Sequence, residues 1–200
     1  MPRIVDHGQR RRMIAEALLR LVARDGIETV SVRTVAAEAG MSAGAVQKYF
    51  ATKEEIFEFA LELTGERLER RWATLSADGD YLTLLRDLLL ETLPLDAERR
   101  AEMIIVTAFT ARAAVRADWS ERLHANDRDM RTATAAYLRT AQEAGQVRAD
   151  LPVPTLADLL LALSDGFALR LLHLPLGAPG SAELLAALDL ALRELLVPRG

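Results

Sequence analysis

The chain has only two lysines among its 25 Lys and Arg residues, Lys48 and Lys53. Both fall in one stretch, Ser31 to Phe57, which reads SVRTVAAEAGMSAGAVQKYFATKEEIF. Within it Gln47, Lys48, Tyr49 and Lys53 bring an amide, two ammonium groups and a phenol close together. An amide such as Gln47 can hydrogen-bond a base edge, and Lys48 or Tyr49 can reach a phosphate. Lys53 falls at the start of a helix, where its charge and the free helix amides can meet the same phosphate.

No second chemistry competes with this one. His7, His124 and His173 lie in unrelated segments, and there is no nucleophile–base pair, metal-ligand spacing or Gly-rich phosphate loop. No catalytic residue, metal or cofactor is expected, and an enzyme is set aside. The absence of cysteine excludes disulfide frameworks, zinc fingers and thiol catalysis. Arg10, Arg11 and Arg12 precede only a mixed segment, which is not a secretory signal. The most apolar run, Leu156 to Leu174, is broken by Asp158, Asp165 and Arg170, so it falls short of the roughly 18 apolar residues of a membrane span. A cytoplasmic protein without a membrane partner is expected.

Charge is segregated. The net charge of −4 alone argues against nucleic acid. Yet residues 1–53 hold nine Lys or Arg against five acids, a balance of +4, while residues 54–200 hold sixteen against twenty-four, a balance of −8. A basic head on an acidic body suits DNA binding through the head.

The elements that must position these groups are helical. Half of the 200 residues are apolar, with Ala and Leu dominant, which favours helix over sheet. The length suits a small domain, residues 1–53, followed by a larger one, residues 54–200. A first helix is expected from His7 to Arg24, capped by Asp6 and ended by Gly26, with Ile14, Leu18, Leu21 and Val22 on one face. Ser31 caps a second helix to Ala39, Gly40 closes it, and Ser42 caps a third from Ala43 to Phe50. Two short helices joined by Gly40-Met41-Ser42 form a helix-turn-helix over about residues 32–51, with Val35, Ala36, Met41, Val46 and Phe50 as its small core. Thr52 and Glu55 form a capping box for a fourth helix, which runs to about Trp72.

With these residues in place the stretch resembles the DNA-binding domain of the TetR family. That family's pattern is a helix ending in Ala-x-x-x-Gly-Val-Ser, a short helix ending in Tyr-x-Tyr-Phe, and then x-x-Lys-Glu-x-Leu. The matching residues here are Ala36 to Ser42, Gln47-Lys48-Tyr49-Phe50, and Lys53-Glu54-Glu55-Ile56. Met41 stands where valine is usual, and Gln47 where an aromatic is commoner. The resemblance implies a ligand-responsive transcriptional regulator, a repressor that releases a palindromic operator when a small apolar effector binds. A helix-turn-helix protein that organises chromosomes is the alternative. It also implies roles by position. Arg33 reaches a base or phosphate, Ser42, Ala43 and Gly44 form the leading end of the recognition helix, and Gln47, Lys48, Tyr49 and Lys53 face the groove or a phosphate. Packing within the small domain is the competing role for Tyr49, and a solvated surface charge that for Arg33.

Beyond the head, further helices are expected over Tyr81–Leu93, Ala97–Val115, Ser120–Ala144, from Pro152 to about His173, and Ser181–Leu196, about nine in all. Asp78-Gly79 and Pro94 bound the first of these. The segment from Trp119 through the run Asp165 to Arg170 resembles the C-terminal domain of BetI-like members. Leucines on two faces of the last two helices suggest one face in the core and one against a second copy. Leu159, Leu163, Leu184, Leu188 and Leu192 are the candidates for that homodimer interface, which the family's four-helix interface would match. Met103, Phe109, Trp119 and Phe167 are candidates for the wall of an effector pocket, with ordinary core packing as their competing role. Asp165 and Arg170 could orient a ligand or pair across the dimer.

Overall fold

The computed structural model describes residues 7–76 and 80–198. The expected Asp6 cap and the Asp78-Gly79 boundary lie outside the described residues. Among the described residues the chain is all-α, with nine α-helices, one 3-10 turn and no strand. The head holds α1 (His7–Asp25), the 3-10 turn Ile27–Thr29, α2 (Val32–Glu38) and α3 (Ala43–Val46). The body holds α4 (Lys53–Trp72), α5 (Tyr81–Thr92), α6 (Ala97–Ala113), α7 (Ala117–Glu143), α8 (Val153–Leu172) and α9 (Pro179–Leu196).

Ser31, Ser42 and Thr52, the caps read from the sequence, start α2, α3 and α4, and Asp80 and Asp96, caps not expected from the sequence, start α5 and α6. Ser31 Oγ accepts from the Thr34 amide at 3.1 Å, and Thr34 Oγ1 accepts from the Ser31 amide at 2.8 Å. Threonine thus does what Glu or Gln usually does in a capping box. Asp80 and Asp96 cap α5 and α6 through their side chains. Pro154 and Pro179 sit in the opening turns of α8 and α9, where a missing N–H costs nothing.

Two cores result. The first joins Ile14, Leu18, Val35, Val46, Phe50, Ile56 and Phe57 to Ile105, Phe109 and Trp119. It runs across residue 53 without a break, so the small domain expected over residues 1–53 shares its interior with α4, α6 and the start of α7. The second core packs Leu85 and Leu89 of α5, and Leu93 just past its end, against Leu138 of α7, Leu156, Leu160 and Leu171 of α8, and Leu188, Leu192 and Leu196 of α9. The Trp72 indole N–H donates to the Leu88 carbonyl at 2.9 Å and ties the end of α4 to α5.

Three expectations change. The third helix is one turn long and stops at Val46, not Phe50. The Tyr49 amide turns to the Val46 carbonyl at 2.9 Å, and Phe50 swings into the core at 1% exposure. Helix α7 begins at Ala117, not Ser120, and so carries Trp119 in its first turn. Leu188 and Leu192 are 1% and 7% exposed, so they belong to the protomer's own core and not to a face offered to a partner. Four residues advance a helix about 400°, so Leu188 and Leu192 share the inward stripe. Leu190 lies two residues off it and is 60% exposed.

Candidate nucleic-acid interface

The turn between α2 and α3 is built from backbone geometry. Gly40 has φ 66°, a left-handed conformation that other residues adopt only with strain. The Gly40 amide donates to the Ala37 carbonyl at 3.1 Å and the Met41 amide to the Ala36 carbonyl at 2.8 Å. This pair of bonds is a Schellman motif, which satisfies the carbonyls left over at the end of α2. One residue later Ser42 Oγ accepts from the Ala45 amide at 3.1 Å and starts α3. Buried Val35, Ala36 and Val46 hold the two helices together, with half-buried Met41 packed against them.

The exposed side of this unit carries Arg33 on α2, Ser42 and Gly44 at the leading end of α3, and Gln47 and Lys48 at its trailing end. Ala43 is half-buried beside them. Lys53 opens α4 under the Thr52 cap, whose Oγ1 accepts from the Glu55 amide at 3.2 Å. Glu55 answers by accepting from the Ala51 amide at 2.9 Å, one residue before the cap. Tyr49 is half-buried, its ring centroid 5.0 Å from that of His7. The start of α1 therefore lies beside the end of α3. The sequence gives no sign of this pairing, because the two residues are 42 positions apart.

The basic residues of the head sort into two groups. Arg20 and Arg24 both grip Glu38, at 3.1 and 2.9 Å, and these hydrogen bonds hold its carboxyl below the usual range, Arg24 contributing most. Arg12 pairs with Glu66 at 2.7 Å. The Arg11 guanidinium lies over the rings of Phe50 and Phe59, at 4.7 and 4.4 Å. By contrast, Arg33, Lys48 and Lys53 make no ion pair among the described residues. Arg10 on α1 has no ion pair among the described residues either and donates only to the Met13 sulfur at 3.8 Å, so the unneutralised positive charge of the head lies around α3 and at the start of α1.

The four candidates for an effector pocket are not brought together. Phe109 and Trp119 are 3% and 1% exposed and stack at 4.7 Å in the first core. Met103 and Phe167 are half-buried at the edge of the second core. The reason lies in helix geometry. Met103 and Phe109 are six residues apart on α6, so their side chains diverge by about 120°. Two clefts open elsewhere. One of about 320 Å³ lies between α5 and α9 and is lined by Leu82, Thr83, Arg86, Asp189, Leu192 and Arg193, among others. The other, about 210 Å³, lies beside Leu95, Leu171, Leu174 and Leu185. On the outward side of α8 and α9, Leu159, Ala162, Leu169, Ala186, Ala187 and Leu190 are exposed, while Leu163 and Leu184 are half-buried. Asp165 and Arg170 flank this strip and are exposed as residues, but desolvation, with Asp127 nearby, raises the Asp165 carboxyl above its ordinary value.

Comparison with known proteins agrees with this architecture. Residues 14–60 match the bacterial regulatory proteins of the tetR family, and residues 82–197 match the C-terminal domain of BetI-type transcriptional repressors. HTH-type transcriptional regulator PksA of Bacillus subtilis is 34% identical over 85% of this chain and 82% of its own length. HTH-type transcriptional repressor Rv1474c of Mycobacterium tuberculosis is 31% identical over 86% of this chain and 88% of its own. A transcriptional regulator from Rhodococcus sp. RHA1 superposes with a TM-score of 0.77 at 34% identity, covering 92% of this chain and 95% of that one. A regulator from Saccharomonospora viridis, solved in complex with choline, has a TM-score of 0.80 at 24% identity, over 96% and 100% of the two chains, and shares the fold. The chain is a helix-turn-helix transcriptional regulator and belongs to the TetR family.

Proposed function

We propose that this protein is a repressor that holds a palindromic operator as a twofold homodimer and releases it when a small apolar effector binds. The observation that carries the reading is the contrast in the head between Arg11, Arg12, Arg20 and Arg24, already paired or stacked, and Arg33, Lys48 and Lys53, which stand without an ion pair on or beside the helix-turn-helix. In this reading Ser42, Ala43 and Gly44 let the backbone into the major groove, and Gln47 reads a base. Lys48, Tyr49 and Lys53 hold phosphates, and Arg33 reaches a base or phosphate from α2. The second copy packs on the exposed strip of Leu159, Leu169 and Leu190, with Leu163 and Leu184 at its margin. Two heads then meet successive major grooves about 34 Å apart. The effector enters at the half-buried Met103 and Phe167 and parts α6 from α8. A protein of the same fold has been solved in complex with a small molecule, choline, which supports a ligand-responsive regulator and not a particular effector or entrance.

Two substitutions test the DNA face, each against a duplex selected from a random library by the parent protein. Lys53→Ala should weaken binding to every sequence alike and lower the log–log salt slope by about one. An unchanged slope and affinity would place Lys53 off the DNA. Gln47→Ala should relax preference at one base pair per half-site, by about 1–3 kcal/mol. Uniform loss across operator variants would make Gln47 a backbone contact instead.

A further inference from the structure

The opening turns of α6 hold four charged residues, Glu98, Arg99, Arg100 and Glu102, which between them reach three different helices. The Arg100 guanidinium donates to the carbonyls of Leu172 at 2.6 Å and Leu174 at 3.0 Å, and so closes the C-terminal end of α8. Those carbonyls have no partner within the helix, and a cation is favoured there. Two residues on, Glu102 is 5% exposed and faces α4. It accepts from Arg71 at 2.8 Å and from Arg67 at 3.4 Å, and Glu98 holds Arg67 more closely, at 2.8 Å. Arg71 also lies 3.0 Å from the Glu91 carboxylate of α5, without the alignment of a hydrogen bond at its Nε. Arg99 reaches the same Glu91 at 3.4 Å and the Leu90 carbonyl at 3.2 Å.

A buried ion pair of this kind contributes little net stability, because desolvating the charges offsets their attraction. Its directional bonds do fix geometry. Met103, a neighbour of Glu102, sits at the edge of the second core, so the polar residues and the proposed effector entrance share the same turn of helix.

We propose that Arg99, Arg100 and Glu102 form a polar bracket that sets the angle of α4, and with it the head, relative to α8. Glu102 and Arg100 are its two positioning residues. This rests on the reading that α8 belongs to the dimer interface, since only then does a fixed angle between α4 and α8 fix the separation of two heads. Glu102 holds the α4 arm, and Arg100 holds the α8 arm. A change at either arm should loosen the same quantity, although the two contacts lie on different helices.

The absence of cysteine permits a direct measurement. A spin label on Glu28→Cys, an exposed residue of the 3-10 turn in the head, reports the distance between the two heads of the DNA-free dimer. Arg100→Met and Glu102→Gln should each widen that distance distribution and lower affinity for the selected duplex by between about twofold and thirtyfold. Glu102→Gln also leaves two guanidiniums facing an amide and could unfold the chain. The triple variant Arg67→Met, Arg71→Met, Glu102→Leu therefore removes the buried charge together with its two arginines, while Glu91 keeps Arg99 and the exposed Glu98 is left to solvent. It should keep the parent's thermal midpoint and still show the widened distribution. A triple variant with the parent's distribution and affinity would overturn the bracket and leave the network a merely structural contact. A labelled parent that sediments as a monomer would overturn the dimer reading, and the bracket's role with it.

Discussion

Trp119→Ala should lower the free energy of unfolding by about 3–5 kcal/mol, the range for removing a large aromatic from a well-packed interior. The indole is 1% exposed. It stacks between Phe109 at 4.7 Å and Phe57 at 6.2 Å, and the Arg116 guanidinium lies 5.1 Å over its ring. Arg112 covers Phe57 at 4.6 Å and extends the column. The rings come from α4, α6 and α7, so their loss removes packing from three helices at once. A milder substitution gives the control. Trp119 Nε1 is buried with no hydrogen-bond partner among the described residues, a group whose desolvation is uncompensated. Trp119→Phe keeps a ring in the column and deletes that donor, so its cost should be clearly smaller. Urea unfolding of both variants checks the pair. Equal losses would mean that the column is not what holds Trp119 in place.

Leu190→Glu should leave the protomer folded and split the dimer, whereas Leu188→Glu should unfold it. The two leucines are neighbours on α9 with opposite environments, 60% and 1% exposed. A glutamate at 190 enters solvent in the monomer but would meet its own copy across an apolar interface. At 188 it would be buried without a partner, which the core of α5, α8 and α9 cannot accommodate. Separating two linked heads removes the gain from simultaneous binding, so affinity for a palindromic duplex should fall by about 10²–10⁴-fold. Sedimentation and thermal melting distinguish these outcomes. If Leu190→Glu stays dimeric and binds the duplex as the parent does, the exposed strip of α8 and α9 is not the interface.

What could be read from the sequence follows the range of the forces involved. Caps and turns are local, so Ser31, Gly40, Ser42, Thr52 and the prolines of α8 and α9 mark helix boundaries that the structure keeps within a few residues. The helix-turn-helix is legible because its residues are contiguous, and residues 14–60 of this chain match the tetR family. The choice between faces of an apolar helix is not local. Leu188 and Leu190 are chemically identical, and only the position of α5 and α8 decides which is core. Trp119 looked like pocket wall for the same reason, since its stacking partner Phe57 is 62 positions away. Glu102 is one of several acids at the start of α6, after Asp96 and Glu98, and nothing local singles it out, because its arginine partners lie on another helix.

The brevity of α3 bears on how such a protein diverges after its gene is duplicated. The helix spans Ala43–Val46, and its side chains are two alanines, a glycine and a buried valine. If α3 is the recognition helix as proposed, discrimination among bases falls mainly on Gln47, which is exposed and has no part in the core. A single codon change there could redirect a copy to a new set of genes without touching the stability of the head. Neighbouring Lys48 and Lys53 would keep the sequence-independent grip while the preference drifts. Two daughter proteins could in this way share a fold and an effector, yet answer it at different promoters.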